Sequence, residues 1–213
     1  MIRIWGRATS SNVQTVMWAV AELGLEHERL DWGGTFGGND DPAYREMNPN
    51  GLIPVLRDGD VVLWESPAIL RYLGARYGDE GFWPSDPARR AGLDMWAEWV
   101  KTSICPELIY KVFWQLVRTP EARRDLAAAG AGADALAALM PRLDARLGNG
   151  PFLGGQALSF ADIMAGHVLY RYMTMDFAKA DTPNLDAYYA RLTGRPAYQE
   201  HVMVSYESLR DTA

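Results

Sequence analysis

With 213 residues, 48% of them hydrophobic and 23% charged, the chain has an ordinary globular composition and room for one large domain or two modest ones. Its 21 basic and 27 acidic residues leave a formal charge of −6 without a dense Lys/Arg block, which argues against a nucleic-acid partner. A single cysteine, Cys105, excludes an intrachain disulfide and a cysteine-rich zinc site.

The opening MIRIWGRATSS has no long apolar stretch and no small-residue cleavage site, and no segment reaches 18 apolar residues. A cytoplasmic protein without a signal peptide or membrane span is therefore expected. Ile2 and Ile4 alternate with Arg3 ahead of Trp5, a short strand pattern. After the turn GRATSS, apolar residues at Val13, Val16, Met17, Val20 and Leu23 predict a helix that Gly24 stops. HERLDW reads as a second strand, parallel to the first through a right-handed crossover.

A Gly-rich loop, GGTFGGNDDP, leads to IPVLRDGDVVLWE, a hairpin joined through Asp58-Gly59. SPAILRYLGARYG then reads as a helix that Ser66 can cap, with Pro67 suited to its first position. This gives the order β-α-β, loop, β-β-α, closing near Tyr77. GDEGFWPSDPA reads as a linker. Beyond it nearly everything is helical: a long segment from Asp86 to about Arg118 bent at Pro106, then TPEARRDLAAAG and ADALAALMPRLDARLG as separate helices. LSFADIMAGHVLYRYM starts on a capping-box-like Ser159 and Asp162, and two short helices divided at Gly194 end the series. His27, His167 and His201 match no metal-ligand spacing and read as structural; no metal is expected.

A small α/β unit followed by helices resembles the glutathione transferase architecture. NPNGLIPVL, then LWESPAILRYL, then LSFADI resemble that family's proline-led strand, acidic-Ser helix start and helical-domain capping box in order and spacing. The resemblance runs from Met1 to about Tyr198 and is to the serine-type, theta-like or related bacterial cytosolic classes. It implies an α/β plus all-α fold: a thioredoxin-like domain of order β-α-β-α-β-β-α over 1–78, a linker over 79–88 and an all-helical domain over 89–213. It further implies glutathione as co-substrate, a small apolar electrophile and a homodimer.

The same resemblance assigns roles by position. The Ile53–Pro54 peptide bond would be cis, leaving the Ile53 backbone free to pair with the cysteinyl backbone of glutathione as an added strand would; a trans proline opening the strand is the alternative. Glu65 would face the γ-glutamyl ammonium, with Ser66 and its helix N-terminus taking the carboxylate, unless Ser66 is only a cap and Glu65 an exposed acid at the positive end of the helix dipole. Ser10 falls at the catalytic hydroxyl, with Ser11 and Thr9 as rivals in register and Asn12 near the sulfur; Ser10 or Ser11 capping the helix is the bland reading. No tyrosine or cysteine occurs in Met1–Ser11, and Cys105, far along the chain, is not expected to substitute. Leu52 stands where many members carry Lys or Arg, so glycyl-carboxylate contacts would come from the GGTFGGND loop or be missing.

Trp96, Trp99, Tyr110, Phe113 and Trp114 would wall the electrophile site, although aromatics at helical spacing also fill cores and interfaces. The expected chemistry is thiolate attack on an electrophilic carbon in detoxification, or a related glutathione-dependent peroxide reduction, isomerisation or dehalogenation. A non-catalytic glutathione-binding or regulatory protein of the same fold is the rival.

Overall fold

The computed structural model describes residues 1–148 and 150–213. The chain opens with strand β1 (Ile2–Trp5), helix α1 (Ser11–Glu22), strand β2 (His27–Leu30), the short helix α2 (Pro42–Met47), strands β3 (Val55–Asp58) and β4 (Val61–Trp64), and helix α3 (Ser66–Tyr77). The four strands form one sheet in the order β2-β1-β3-β4. β1 and β2 run parallel, with Ile2 opposite His27 and Trp5 opposite Leu30, because α1 carries the chain back across the sheet. β3 lies antiparallel to both β1 and β4, and Gly59-Asp60 make the hairpin turn one residue beyond the expected dipeptide.

Every residue of α1 from Val13 to Val20 is buried, the mark of a helix covered on all sides. One side packs on the sheet; the other meets the helices that follow. Helix α3 starts one residue earlier than the sequence suggested. Glu65 is the capping residue, in a left-handed conformation at φ 68°, and Ser66 is already helical. The Ser66 hydroxyl is thereby released from capping, which corrects that expectation.

Helix α4 (Pro87–Trp99) begins on the Asp86 cap, whose carboxylate accepts from the Ala88 and Arg89 amides. It runs on through wide π-type turns at Val100–Ile104 and Pro106–Arg118. Pro106 supplies no backbone donor, and the chain accommodates it by widening its turns. Helix α5 (Leu126–Leu147) is one continuous element where two were expected, because Gly130 and Gly132 do not break it. Gly132 sits where α5 crosses the Pro106–Arg118 segment, and a Cβ there would lie 2.8 Å from Lys111 Cβ. Conversely, the helix expected from Ser159 to Met173 divides into α6 (Phe160–Gly166) and α7 (Leu169–Thr174). Helices α8 (Pro183–Thr193) and α9 (Pro196–His201) end the series, on either side of Gly194.

The Ser159/Asp162 capping box forms at the start of α6 and is wholly buried. Asp162 accepts from the Ser159 amide (2.8 Å) and hydroxyl (2.7 Å), the Leu153 amide (2.7 Å) and the Tyr188 hydroxyl (3.1 Å). Burial pushes its carboxyl above the usual range while these donors pull the other way.

A cationic cleft at the first helix

A cleft of about 560 Å³ opens where the N-terminal end of α1 faces the π-type segment. Thr9, Ser10, Ser11 and Asn12 line one wall, Leu52 and Ile53 a second, and Lys101, Cys105, Ile109, Tyr110, Phe113 and Trp114 a third. The Ile53–Pro54 bond is cis. Among the described residues the Ile53 amide and carbonyl meet no hydrogen-bond partner, whereas the neighbouring Leu52 carbonyl is held by Tyr44 and Asn48 (2.8 Å each).

Ser10 is the capping residue of α1, yet its hydroxyl makes no capping bond. Its carbonyl accepts from the Gln14 amide and its amide donates to Arg7, so the backbone is fixed while the hydroxyl is spare. Ser11 is the first helical residue, its carbonyl accepting from the Thr15 hydroxyl. Asn12 joins the two halves of the molecule. Its side-chain oxygen accepts from Lys101 Nζ at 2.9 Å and from the Ser66 hydroxyl at 3.3 Å. An ammonium can only donate, so the oxygen of Asn12 must face Lys101 and its amide NH₂ faces away.

Glu65 and Ser66 lie outside the lining of the cleft. Ser66 is buried and reaches it through Asn12, and Glu65 is exposed beside it. Among the five aromatics expected there, Tyr110, Phe113 and Trp114 line the cleft. Trp96 and Trp99 do not: they stack edge-to-face and border a separate groove with Met95 and Arg142. The expectation that these two tryptophans wall the electrophile site is corrected. They stand on α4, before the widened turns change which face meets the cleft.

Cys105 and His167, set aside in the sequence, also lie in the cleft wall. His167 Nδ1 is 2.7 Å from the Met164 carbonyl, which fixes its proton there and leaves Nε2 as an acceptor 4.0 Å from Cys105 Sγ. Burial, with Lys101 adding, pushes His167 down to about 3, and burial pushes the Cys105 thiol up to about 11. Both are neutral at pH 7. Four cations were missed altogether: Arg7, Lys101, Arg118 and Arg171 line the cleft from three separate stretches of chain. No spacing in the sequence connects them, because the tertiary fold alone brings these stretches together.

Residues 9–76 match the family "Glutathione S-transferase, N-terminal domain" and residues 106–196 the family "Glutathione S-transferase, C-terminal domain". The chain belongs to the glutathione S-transferase family. It is 39% identical to glutathione S-transferase GstB of Escherichia coli (strain K12) over 206 residues, 96% of this chain and 99% of that one. Glutathione S-transferase 3 of Zea mays is 32% identical over 94% of this chain and 93% of its own. The theta-class glutathione S-transferase of Xanthomonas axonopodis pv. citri with glutathione bound superposes with a TM-score of 0.90 at 44% identity, covering 96% of this chain and 98% of that chain. Its apo form gives 0.82. The transferase thus has the thioredoxin-like and all-helical architecture throughout, and likeness to transferases over almost the full chain supports an enzyme over a non-catalytic binding protein. Among its described residues no helix is long and apolar enough to cross a membrane, and no group of three His, Cys, Asp or Glu side chains could hold a metal ion.

Proposed function

We propose that this glutathione transferase activates its co-substrate at the start of α1, with Ser10 as the hydroxyl that faces the sulfur. The observation that carries this reading is the spare Ser10 hydroxyl, uncommitted to its own helix and lining the same cleft as the unpaired Ile53 backbone. Glutathione would lay its cysteinyl backbone along Ile53, beside the buried Pro54, and send its ammonium toward Glu65 and its γ-glutamyl carboxylate toward Ser66 and the α3 N-terminus. The thiol would then point at Ser10, with Ser11 and Asn12 flanking it. Residues 1–78 hold the co-substrate in this reading, 79–88 connect, and 89–213 supply the electrophile wall through Tyr110, Phe113 and Trp114.

A free thiol has a pKa of about 8.5 and is mostly protonated at neutral pH. Lowering it by about two units, roughly 2.7 kcal/mol, makes thiolate dominant. The α1 N-terminus, a hydroxyl donor and the Asn12 NH₂ all favour the anion, and the nearby Lys101 charge adds to them. No general base is needed. The sulfur then attacks an electrophilic carbon held against the aromatic wall, so catalysis is thiolate stabilisation plus placement. Detoxification in the cytoplasm by a homodimer is the setting the family resemblance implies. The apolar groove of Met95, Trp96 and Trp99 is a face that such an assembly would cover.

Two variants test the assignment. Ser10→Ala should raise the pKa of the bound thiol and lower kcat while leaving the glutathione dissociation constant unchanged; undiminished turnover would move the role to Ser11, Thr9 or Asn12. Glu65→Ala should weaken glutathione binding, and an unaltered dissociation constant would remove Glu65 as the ammonium partner.

A further inference from the structure

The molecule carries a formal charge of −6, but the cleft has the opposite sign. Among the described residues its wall holds four cations and no carboxylate. Lys101 is bonded to Asn12. The three guanidiniums, of Arg7, Arg118 and Arg171, make no ion pair with any described carboxylate.

Arg171 is the most constrained of them. Its side chain comes off α7 and is only 3% exposed. One terminal nitrogen donates to the Thr9 carbonyl at 2.8 Å, and the guanidinium lies 4.9 Å from the centre of the Phe113 ring. Its Nε and other terminal nitrogen are buried and meet no partner among the described residues. Arg118 repeats the arrangement over Trp114, 4.5 Å from the ring centre, with a buried and unpartnered Nε. Arg7 lies close enough to feel both charges. A buried guanidinium in native proteins is paired or hydrogen-bonded, and Arg171, with the half-buried Arg7 and Arg118 lining the same cleft, is poised for planar, two-pronged recognition of an oxyanion.

The Thr9 bond fixes which end of the cleft this is. Thr9 precedes Ser10, so Arg171 stands next to the proposed sulfur position and against the aromatic wall. Burial, with Arg7 adding, pushes Arg171 down only to about 10, so it remains charged at neutral pH.

We propose that the second-substrate end of the cleft is built for an acidic electrophile, one carrying a carboxylate that Arg171 and Arg7 hold while its reactive carbon faces the glutathione sulfur. This deepens the transferase reading above and rests on it. With an aryl chloride as acceptor, the carbon–sulfur bond forms as the carbon–chlorine bond breaks. Chloride leaves with the bonding pair, and the thiol proton has already gone to solvent.

The test uses a matched pair, 4-chloro-3,5-dinitrobenzoate and 4-chloro-3,5-dinitrobenzamide, each rate divided by its uncatalysed rate with glutathione. The benzoate should show the larger enhancement in kcat/KM, by about tenfold or more, and the difference should shrink with added salt. Arg171→Met and, should that variant not fold, Arg7→Gln and Arg118→Gln should each reduce the benzoate-to-benzamide ratio. Equal enhancements, or a preference for the amide, would overturn the proposal. So would a rise in KM for glutathione as large as the loss toward the benzoate, which would put the guanidiniums on the glycyl carboxylate of the co-substrate. Binding separates this inference from the one beneath it. Unreactive 3,5-dinitrobenzoate should bind at least about tenfold more tightly than 3,5-dinitrobenzamide in the presence of S-methylglutathione. That preference without turnover of either chloride would sink the thiolate reading and support the anion site; its absence would overturn the anion site whatever the turnover.

Discussion

Asn12 shows how one residue can decide the character of this site. Its carbonyl oxygen accepts one hydrogen bond from Lys101 on the helical side and another from Ser66 on the sheet side. Replacing it leaves the ammonium and the hydroxyl without their shared acceptor, an effect of about 1–3 kcal/mol. Asn12→Ala should therefore lower kcat/KM by about tenfold or more, since the two walls would lose their common reference. Lys101→Met isolates the charge. The pKa of bound glutathione, followed through the ultraviolet absorbance of its thiolate, should rise by about one unit, as expected when a cation within a few ångströms is lost. No rise would confine Lys101 to holding Asn12. The sequence made Asn12 visible because it stands at a helix start within a run of hydroxyls. It could not reveal Lys101, which lies 89 positions away and meets Asn12 only through packing.

At the scale of elements, two helix contacts are set by the absence of a side chain. Gly132 lets α5 close on the π-type segment, and Gly166 at the end of α6 admits the Trp18 ring, where a Cβ would stand 2.7 Å away. Gly132→Ala forces Lys111 and Val112 aside, an overpacking of about 1–3 kcal/mol. Its melting temperature should fall by several degrees. An unchanged value would mean that the crossing is looser than the distances describe. The capping box is the converse case, in which a polar side chain is indispensable. Asp162→Asn keeps one acceptor but aims an NH₂ group at backbone amides, and the loss should be at least about 2 kcal/mol in chemical denaturation. Helix existence was readable from apolar spacing and caps, as at α1, α8 and α9. Helix limits were less so: Gly130 and Gly132 suggested a break that packing overrode, while the continuous apolar pattern from Ser159 to Met173 concealed the division at His167 and Val168.

Across the whole molecule, the two halves meet through α1. Glu22 accepts from Trp18 (2.8 Å) and takes both prongs of Arg195 (2.7 and 2.5 Å), tying the end of α1 to the turn between α8 and α9. The buried imidazole of His167 gives the assembly a pH dependence of known sign. Its pKa is about 3 folded against 6.5 for the ordinary group, so between those values the unfolded chain binds the extra proton. Stability is thus intact above pH 6.5 and should fall as the solution is acidified, by at most about 1.4 kcal/mol per unit from this group. A His167→Gln variant should have a flatter melting profile over that window; a slope identical to the parent's would exclude His167 as its source. The linear order of residues determined the strand–helix alternation, the proline-led strand, the buried capping box and the hydroxyl run at α1, because each is written in spacing, backbone chemistry or a local hydrogen bond. Tertiary structure decided which aromatics face the cleft, where Cys105 and His167 lie, and that Arg7, Lys101, Arg118 and Arg171 converge. Those facts depend on how wide turns and a crossing helix orient distant side chains, and a charge cluster assembled from separate segments has no period for a sequence to display.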